Sequence, residues 1–197
     1  MPARGDHDAK RRDVSEAVWR VLGERGFGGL TLRAVAAELG ASTGLVSHYF
    51  PSKRALMAHA LEVAEERTAN RALRTPPGPG LAGLRSALLD VLPLTEEMAG
   101  MSRAWVSSWD AALADPGLSA GQAARYLRWC EVLRGHLEAA RELGELPADT
   151  DPEDLATVAA AFTHGLVVQA LFDPKRLPPT RQTALLDSFL DGLARKR

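Results

Sequence analysis

The sequence predicts an all-α fold, with a small N-terminal helical head and a larger C-terminal helical bundle. Three observations carry this. Apolar residues recur at three- and four-residue spacing along most of the 197-residue chain, the period of a helix face and not of a strand. Glycines and prolines interrupt those periodic stretches and mark where each helix stops. The run TPPGPG at 75–80 cannot continue a helix, so it forms the main connection between head and body.

Taken in order, the first helix is expected over about Asp8 to Arg25, with Val14, Ala17, Val18, Val21 and Leu22 inward, stopping at GFGG. Thr31 can cap the second, in which Leu32, Val35, Ala36 and Leu39 form one stripe before Gly40 ends it. Ser42 can cap a very short third helix, about Thr43 to Phe50. Pro51 and Ser52 restart the chain into a long fourth helix reaching about Leu73. In the body, helices are expected near Leu81 to Glu97, Met101 to Ala114, Ser119 to Leu143, Pro152 to Phe172 and Pro179 to Arg195. There is no internal repeat or low-complexity segment.

Two short helices joined by a Gly-containing turn, each with too little apolar face to stand alone, have the form of a helix-turn-helix. In that motif the second helix enters the DNA major groove, about 12 Å wide, so its outer residues must be short or polar enough to approach base edges. Val46 and Phe50 can pack inward against Val35 and Leu39. That leaves Thr43, Leu45, Ser47 and His48 pointing outward, while Gly44 permits close backbone approach. Tyr49 and Lys53 fall where phosphates flank the groove. Phosphate contacts would set register and base-edge contacts would specify sequence. No Asp or Glu occurs from Ala41 to Leu61, whereas a helical interaction or scaffold protein without regulated DNA binding would be free to carry larger and more acidic residues there.

The stretch LTLRAVAAELGASTGLVSHYFPSKRAL, residues 30–56, resembles the DNA-binding signature of the TetR family of bacterial transcriptional regulators. It has a Thr-led helix, A-x-x-L-G, S-x-G, an aromatic pair and a Lys opening the next helix. The resemblance implies an all-helical homodimer, with an operator-binding domain at 1–54 and an effector-binding and dimerisation domain at 55–197, usually acting as a repressor that a ligand releases from its operator. By position, Thr31 and Arg33 would meet DNA from the second helix and Thr43, Leu45, Ser47 and His48 from the third, with Tyr49 and Lys53 on the backbone. The commonest family pattern has Tyr where this chain has Ser47. STGLVSHYF is instead similar to the BetI-like branch, whose founding members respond to choline, and RAWVSSWDAALADPGL at 103–118 resembles that branch's C-terminal domain.

Charge and cysteine content agree with a cytoplasmic regulator. Residues 1–54 hold nine Lys and Arg against six Asp and Glu, whereas the remainder holds fifteen against nineteen. A mildly basic head on an acidic body suits a polyanion-binding module. Cys130 is the only cysteine, which leaves neither a disulfide framework nor a cysteine-rich zinc site. The charged N-terminus has no apolar run behind it and is not read as a secretory signal. Ala156 to Phe172 is apolar but contains Thr157, His164 and Gln169 and is shorter than the roughly 20 residues of a membrane span, so a buried helix is expected. The five histidines, at 7, 48, 59, 136 and 164, are scattered. With no nucleophile elbow or phosphate loop either, an enzyme is not expected, nor any cofactor or metal.

In the body, Met98, Met101, Trp105, Trp109 and Ala112 share one helix face, and Tyr126, Trp129, Cys130 and Leu133 on the next helix could meet them. Three of the four tryptophans fall between Trp105 and Trp129. One reading is an aromatic cavity for an apolar or cationic small molecule, with Met101, Trp105, Trp109, Tyr126, Trp129 and Cys130 as its lining; the other is plain bundle core. Asp110 is expected to be exposed. The last two helices carry more apolar surface than one bundle needs. Ala160, His164, Val168, Leu186, Phe189 and Leu190 are therefore candidates for a two-fold, four-helix dimer interface, against the alternative of a larger monomeric core.

Overall fold

The structure, a computed structural model, describes residues 4–69 and 78–194, with side chains from Lys10 onward. It is all-helical among these residues: α1 (Arg4–Arg25), α2 (Leu32–Glu38), α3 (Thr43–Tyr49), α4 (Lys53–Ala69), α5 (Gly80–Leu89), α6 (Glu96–Ala114), α7 (Pro116–Glu142), α8 (Pro152–Phe172) and α9 (Pro179–Leu193). The first three residues of TPPGPG (75–77), the reach of the fourth helix to Leu73, and Arg195 lie outside the described residues. The chain forms two compact units, one of Met1–Arg71 with Arg103–Leu118 and the other of Ala72–Ser102 with Ser119–Arg197.

In the first unit α1 packs on α2 and α4, and α2 on α3. Val14, Ala17, Val18, Val21 and Leu22, the predicted inner face of α1, are buried together with Val35, Val46, Phe50 and Leu56. Thr31 caps α2 as expected: its Oγ1 accepts the Ala34 N–H at 3.0 Å. Gly40 then takes φ +61°, its N–H donating to the Ala37 carbonyl at 3.1 Å while the Ala41 N–H reaches back to the Ala36 carbonyl at 2.9 Å. This paired closure satisfies the last carbonyls of α2 and turns the chain sharply into α3. Arg103–Leu118 joins this unit because Ala104, Ala112 and Leu118 lie in the same apolar cluster. Compactness thus divides the chain at different places from a cut after Arg54.

The second unit packs α5, α8 and α9 on one another. Leu84 and Leu88 of α5, Ala156, Ala159, Leu166 and Val167 of α8, and Leu186 and Leu190 of α9 are buried. Asp151 caps α8 by accepting the Glu153 N–H at 2.8 Å, with Pro152 suited to the first helical position. Glu145 accepts the Leu81 N–H at the start of α5, at 2.7 Å. A side chain at Gly83 would overlap the Gly78 carbonyl and the His136 ring, so this glycine permits a close approach. α8 has the length and hydropathy of a membrane span, but its buried face is that of a core helix packed on α5 and α9.

α1 starts at Arg4 rather than Asp8, and three expected boundaries in the body are corrected. The helix expected over Leu81 to Glu97 stops at Leu89, because Pro93 lacks an N–H and disfavours helical backbone in the residue before it. The N–H groups of Val91 and Leu92 already bond three residues back. α6 starts at Glu96 rather than Met101, as Thr95 Oγ1 accepts the Met98 N–H at 3.2 Å. α7 starts at Pro116 rather than Ser119, as Asp115 Oδ1 accepts from Gly117 and Leu118 at 2.9 and 3.1 Å.

Open space surrounds Gly40, so a β-carbon there meets no neighbour and only backbone conformation opposes it. Gly40→Ala is therefore expected to lower the unfolding free energy by about 1 to 2 kcal/mol, the cost of a left-handed alanine, read from the denaturant midpoint. An unchanged midpoint would remove the glycine from the account of the turn.

Candidate nucleic-acid interface and C-terminal sites

α3 has seven residues and one fully buried side chain, Val46, at 0 % exposure. Phe50, just past its end, is the second anchor. With so few inward positions the rest of the helix faces out: Thr43, Gly44, Ser47 and His48 are exposed, and Leu45 and Tyr49 are half-buried. Ser42 caps the helix, Oγ accepting the Leu45 N–H at 3.3 Å. The Ser47 hydroxyl donates to the Thr43 carbonyl at 2.9 Å, which turns its lone pairs outward as an acceptor. The His48 ring meets the Tyr49 ring edge-on, centroids 5.8 Å apart.

Thr31 and Arg33 are exposed at the start of α2. Lys53, the first residue of α4, is exposed as well, and Ser52 Oγ caps that helix through the Ala55 N–H at 3.1 Å. Next to it, Arg54 is drawn to Asp115 at 3.2 Å. The segment thus offers a small polar surface free of acidic residues from Ala41 to Leu61, with cations at its margins. Helical spacing alone places the α3 side chains on this outer face. The pairing of Arg54 with a carboxylate 61 positions later had no local signature.

The body candidates separate between the two units. Trp105 packs on the apolar cluster of the first unit and donates its indole N–H to Thr68 Oγ1 at 3.2 Å, so its polar atom serves the head. Trp109, half-buried, also belongs to the first unit, and Asp110 is exposed as expected. Met101, buried, belongs to the second unit, as do the half-buried Tyr126, Trp129 and Cys130. Tyr126 presents its ring to His164 of α8 in a T-shaped contact at 5.2 Å. The indole nitrogen of Trp129 is buried without a hydrogen-bond partner among the described residues. Burial pushes the Cys130 thiol and the Tyr126 phenol up, Gln122 and Arg125 partly offsetting the latter.

Of the interface candidates, Ala160, Leu186 and Leu190 are buried within the single chain, at 5, 0 and 6 % exposure. They face the unit's own core, and the stacked Phe162 and Phe189 rings, 4.4 Å apart, join α8 to α9. His164 and Val168 are half-buried. The outward stripe of α8 instead runs through Val158, Ala161, Gly165, Val168 and Phe172, with Val158 and Phe172 at 52 and 83 % exposure; Leu185 of α9 is also exposed. Sequence periodicity names only Val168 of this stripe, because α8 is apolar on most of its circumference and the period does not say which side faces its own core.

Burial pushes the imidazoles of His164 and His136 below the usual histidine range. The folded chain therefore keeps them neutral while the unfolded chain protonates below about pH 6.5. Their contribution to stability is full above that value, is lost as pH falls through it, and levels off once the lower folded-state value is passed. Urea unfolding between pH 5 and 8 is expected to show this loss, with a smaller fall between pH 7 and 5 in His164→Gln. An equal fall in the variant would contradict it.

The helix-turn-helix region and the body each match a known family. Residues 15–60 match the family model of bacterial regulatory proteins of the tetR family. Residues 81–195 match that of the C-terminal domain of BetI-type transcriptional repressors. The chain is 28 % identical over 195 residues to the HTH-type transcriptional regulator PksA of Bacillus subtilis, covering 98 % of this chain and 94 % of that protein. It is 30 % identical over 172 residues to the regulator BetI of Burkholderia lata, covering 84 % of each. In fold it is similar to a transcriptional regulator from Saccharomonospora viridis solved in complex with choline, at a TM-score of 0.84 and 23 % identity, covering 96 % of this chain and all of that one. The chain belongs to the TetR family of DNA-binding transcriptional regulators, with a C-terminal domain of the BetI type.

Proposed function

We propose that two copies of this regulator repress transcription from an operator and leave it when a small molecule binds the C-terminal domain. The observation that carries the reading is the outer face of α3, where Thr43, Gly44, Ser47 and His48 are exposed together and no carboxylate lies nearby in sequence. Thr43, Ser47 and His48 supply groups for base edges, Leu45 an apolar contact, and Thr31, Arg33, Tyr49 and Lys53 contacts to the sugar-phosphate backbone.

Pairing is assigned to α8 and α9. The exposed α8 stripe contains Ala161 and Gly165, and nothing lies within 4 Å of a β-carbon built on Gly165. Small residues on an apolar stripe let two helices approach closely. Among the dimer candidates, Val168 and His164 are half-buried and can contribute, whereas Ala160, Leu186 and Leu190 support the surface from behind.

For the effector, the α7 and α8 set of Tyr126, Trp129, Cys130 and His164 is the better-supported lining. An indole nitrogen without a partner and aromatic faces suit a small cationic or apolar molecule, a cation gaining about 0.5 to 2 kcal/mol over a tryptophan face. The choline complex of the S. viridis protein supports this class. Release requires that the ligand bind more tightly to the dimer form that does not fit the operator. Function in the cytoplasm, without a catalytic step, is the corresponding setting.

Lys53→Ala is expected to weaken binding to promoter DNA similarly for all sequences and to reduce the salt slope by about one unit. His48→Ala is expected to relax base preference at one position of each half-site, costing about 1 to 3 kcal/mol there. Footprinting and salt titration on the promoter beside the gene check both. Unchanged protection by both variants would remove α3 and the start of α4 from the interface.

A further inference from the structure

The corner between α1 and α2 depends on a hydroxyl far away in sequence. α1 ends at Arg25 and Gly26 takes φ +60°. The N–H of Phe27, a buried residue, is received by Ser107 Oγ of α6 at 3.0 Å. Ser107 donates its own proton to the Ala104 carbonyl at 3.1 Å, so its oxygen is turned toward Phe27. The approach is close: a β-carbon on Gly26 would lie 3.0 Å from that same oxygen. Around it, Ala104 and Ala112 of α6 are buried in the core that also holds Val35, Val46 and Phe50. Two further polar ties fix the same segment to α4, Trp105 to Thr68 at its end and Asp115 to Arg54 at its start.

The geometry points to Ser107 as a positioning residue for operator binding: through Phe27 it sets the α1–α2 corner from which the helix-turn-helix is held. This rests on the operator-binding reading above. Arg103–Leu118 is then a brace of the DNA-binding unit, although it lies beyond the helix-turn-helix in sequence, and α6 continues from it into residues of the second unit. Losing the hydroxyl leaves the Phe27 N–H without its acceptor, so the corner samples more orientations and the form that fits DNA is less populated, which lowers apparent affinity by that fraction.

The test compares Ser107→Ala and Ser107→Thr with the wild-type chain, at a temperature where circular dichroism shows all three folded. Readouts are affinity for promoter DNA and hydrogen exchange at the Phe27 amide. Ser107→Ala is expected to bind about threefold to tenfold more weakly, the equivalent of one net hydrogen bond, with faster exchange at Phe27. Ser107→Thr, which keeps the hydroxyl, is expected to restore both. Unchanged affinity in Ser107→Ala despite faster exchange overturns the proposal and leaves the operator reading intact. Failure of the wild-type chain to retain promoter DNA overturns both.

Discussion

The left-handed turn at Gly40 is the constraint on which the DNA-facing half of the molecule depends. It closes the last carbonyls of α2 and, with Gly40 at φ +61°, ends that helix before Ser42 caps α3. α3 is too short to hold itself, since an isolated helix of one or two turns is unstable in water. Val46 and Phe50 provide its anchorage in the core. That economy frees much of the surface of α3: Val46 and Phe50 are buried and Tyr49 packs partly on the same core, while Thr43, Gly44, Ser47 and His48 stay exposed. The same turn thus sets both the stability of the motif and its exposed chemistry.

The body obeys a different logic. α5, α8 and α9 make a core by apolar packing, and the polar links between them, such as Arg85 with Asp187 at 2.6 and 3.1 Å, are partly exposed and contribute little net stability. What they supply is direction, since a bidentate pair holds two helices in one register. α7 carries the Tyr126 contact to His164 and the indole of Trp129, whose nitrogen has no hydrogen-bond partner among the described residues. Aromatic rings are costly to leave with a buried polar atom unmet, and a group that fills such a place gains the interaction without displacing a protein bond.

The fold was largely legible in the sequence. The inner face of α1, the Thr31 cap, Gly40 and the Val46–Phe50 pair are local patterns, and each stands where its spacing put it. The differences have physical causes. Pro93, Thr95 and the Asp-Pro at 115–116 are all stop or start signals that outweigh the apolar period around them, and ignoring them moved three helix ends. Trp105 could not be placed from its own stripe, because a helix face meets different neighbours along its length and periodicity does not name them. Periodicity does not orient α8 for the converse reason, as nearly every side of that helix is apolar. The hydroxyl of Ser107 receiving Phe27, 80 positions earlier, has no sequence signature at all.

In the proposed function, paired α3 helices read DNA. Selection of bound duplexes from a random pool by the wild-type protein tests it most directly. Enrichment of a two-fold symmetric site is expected, with half-sites centred about 10 base pairs, or 34 to 36 Å, apart. An enriched site without symmetry, or no enrichment over input, would contradict it.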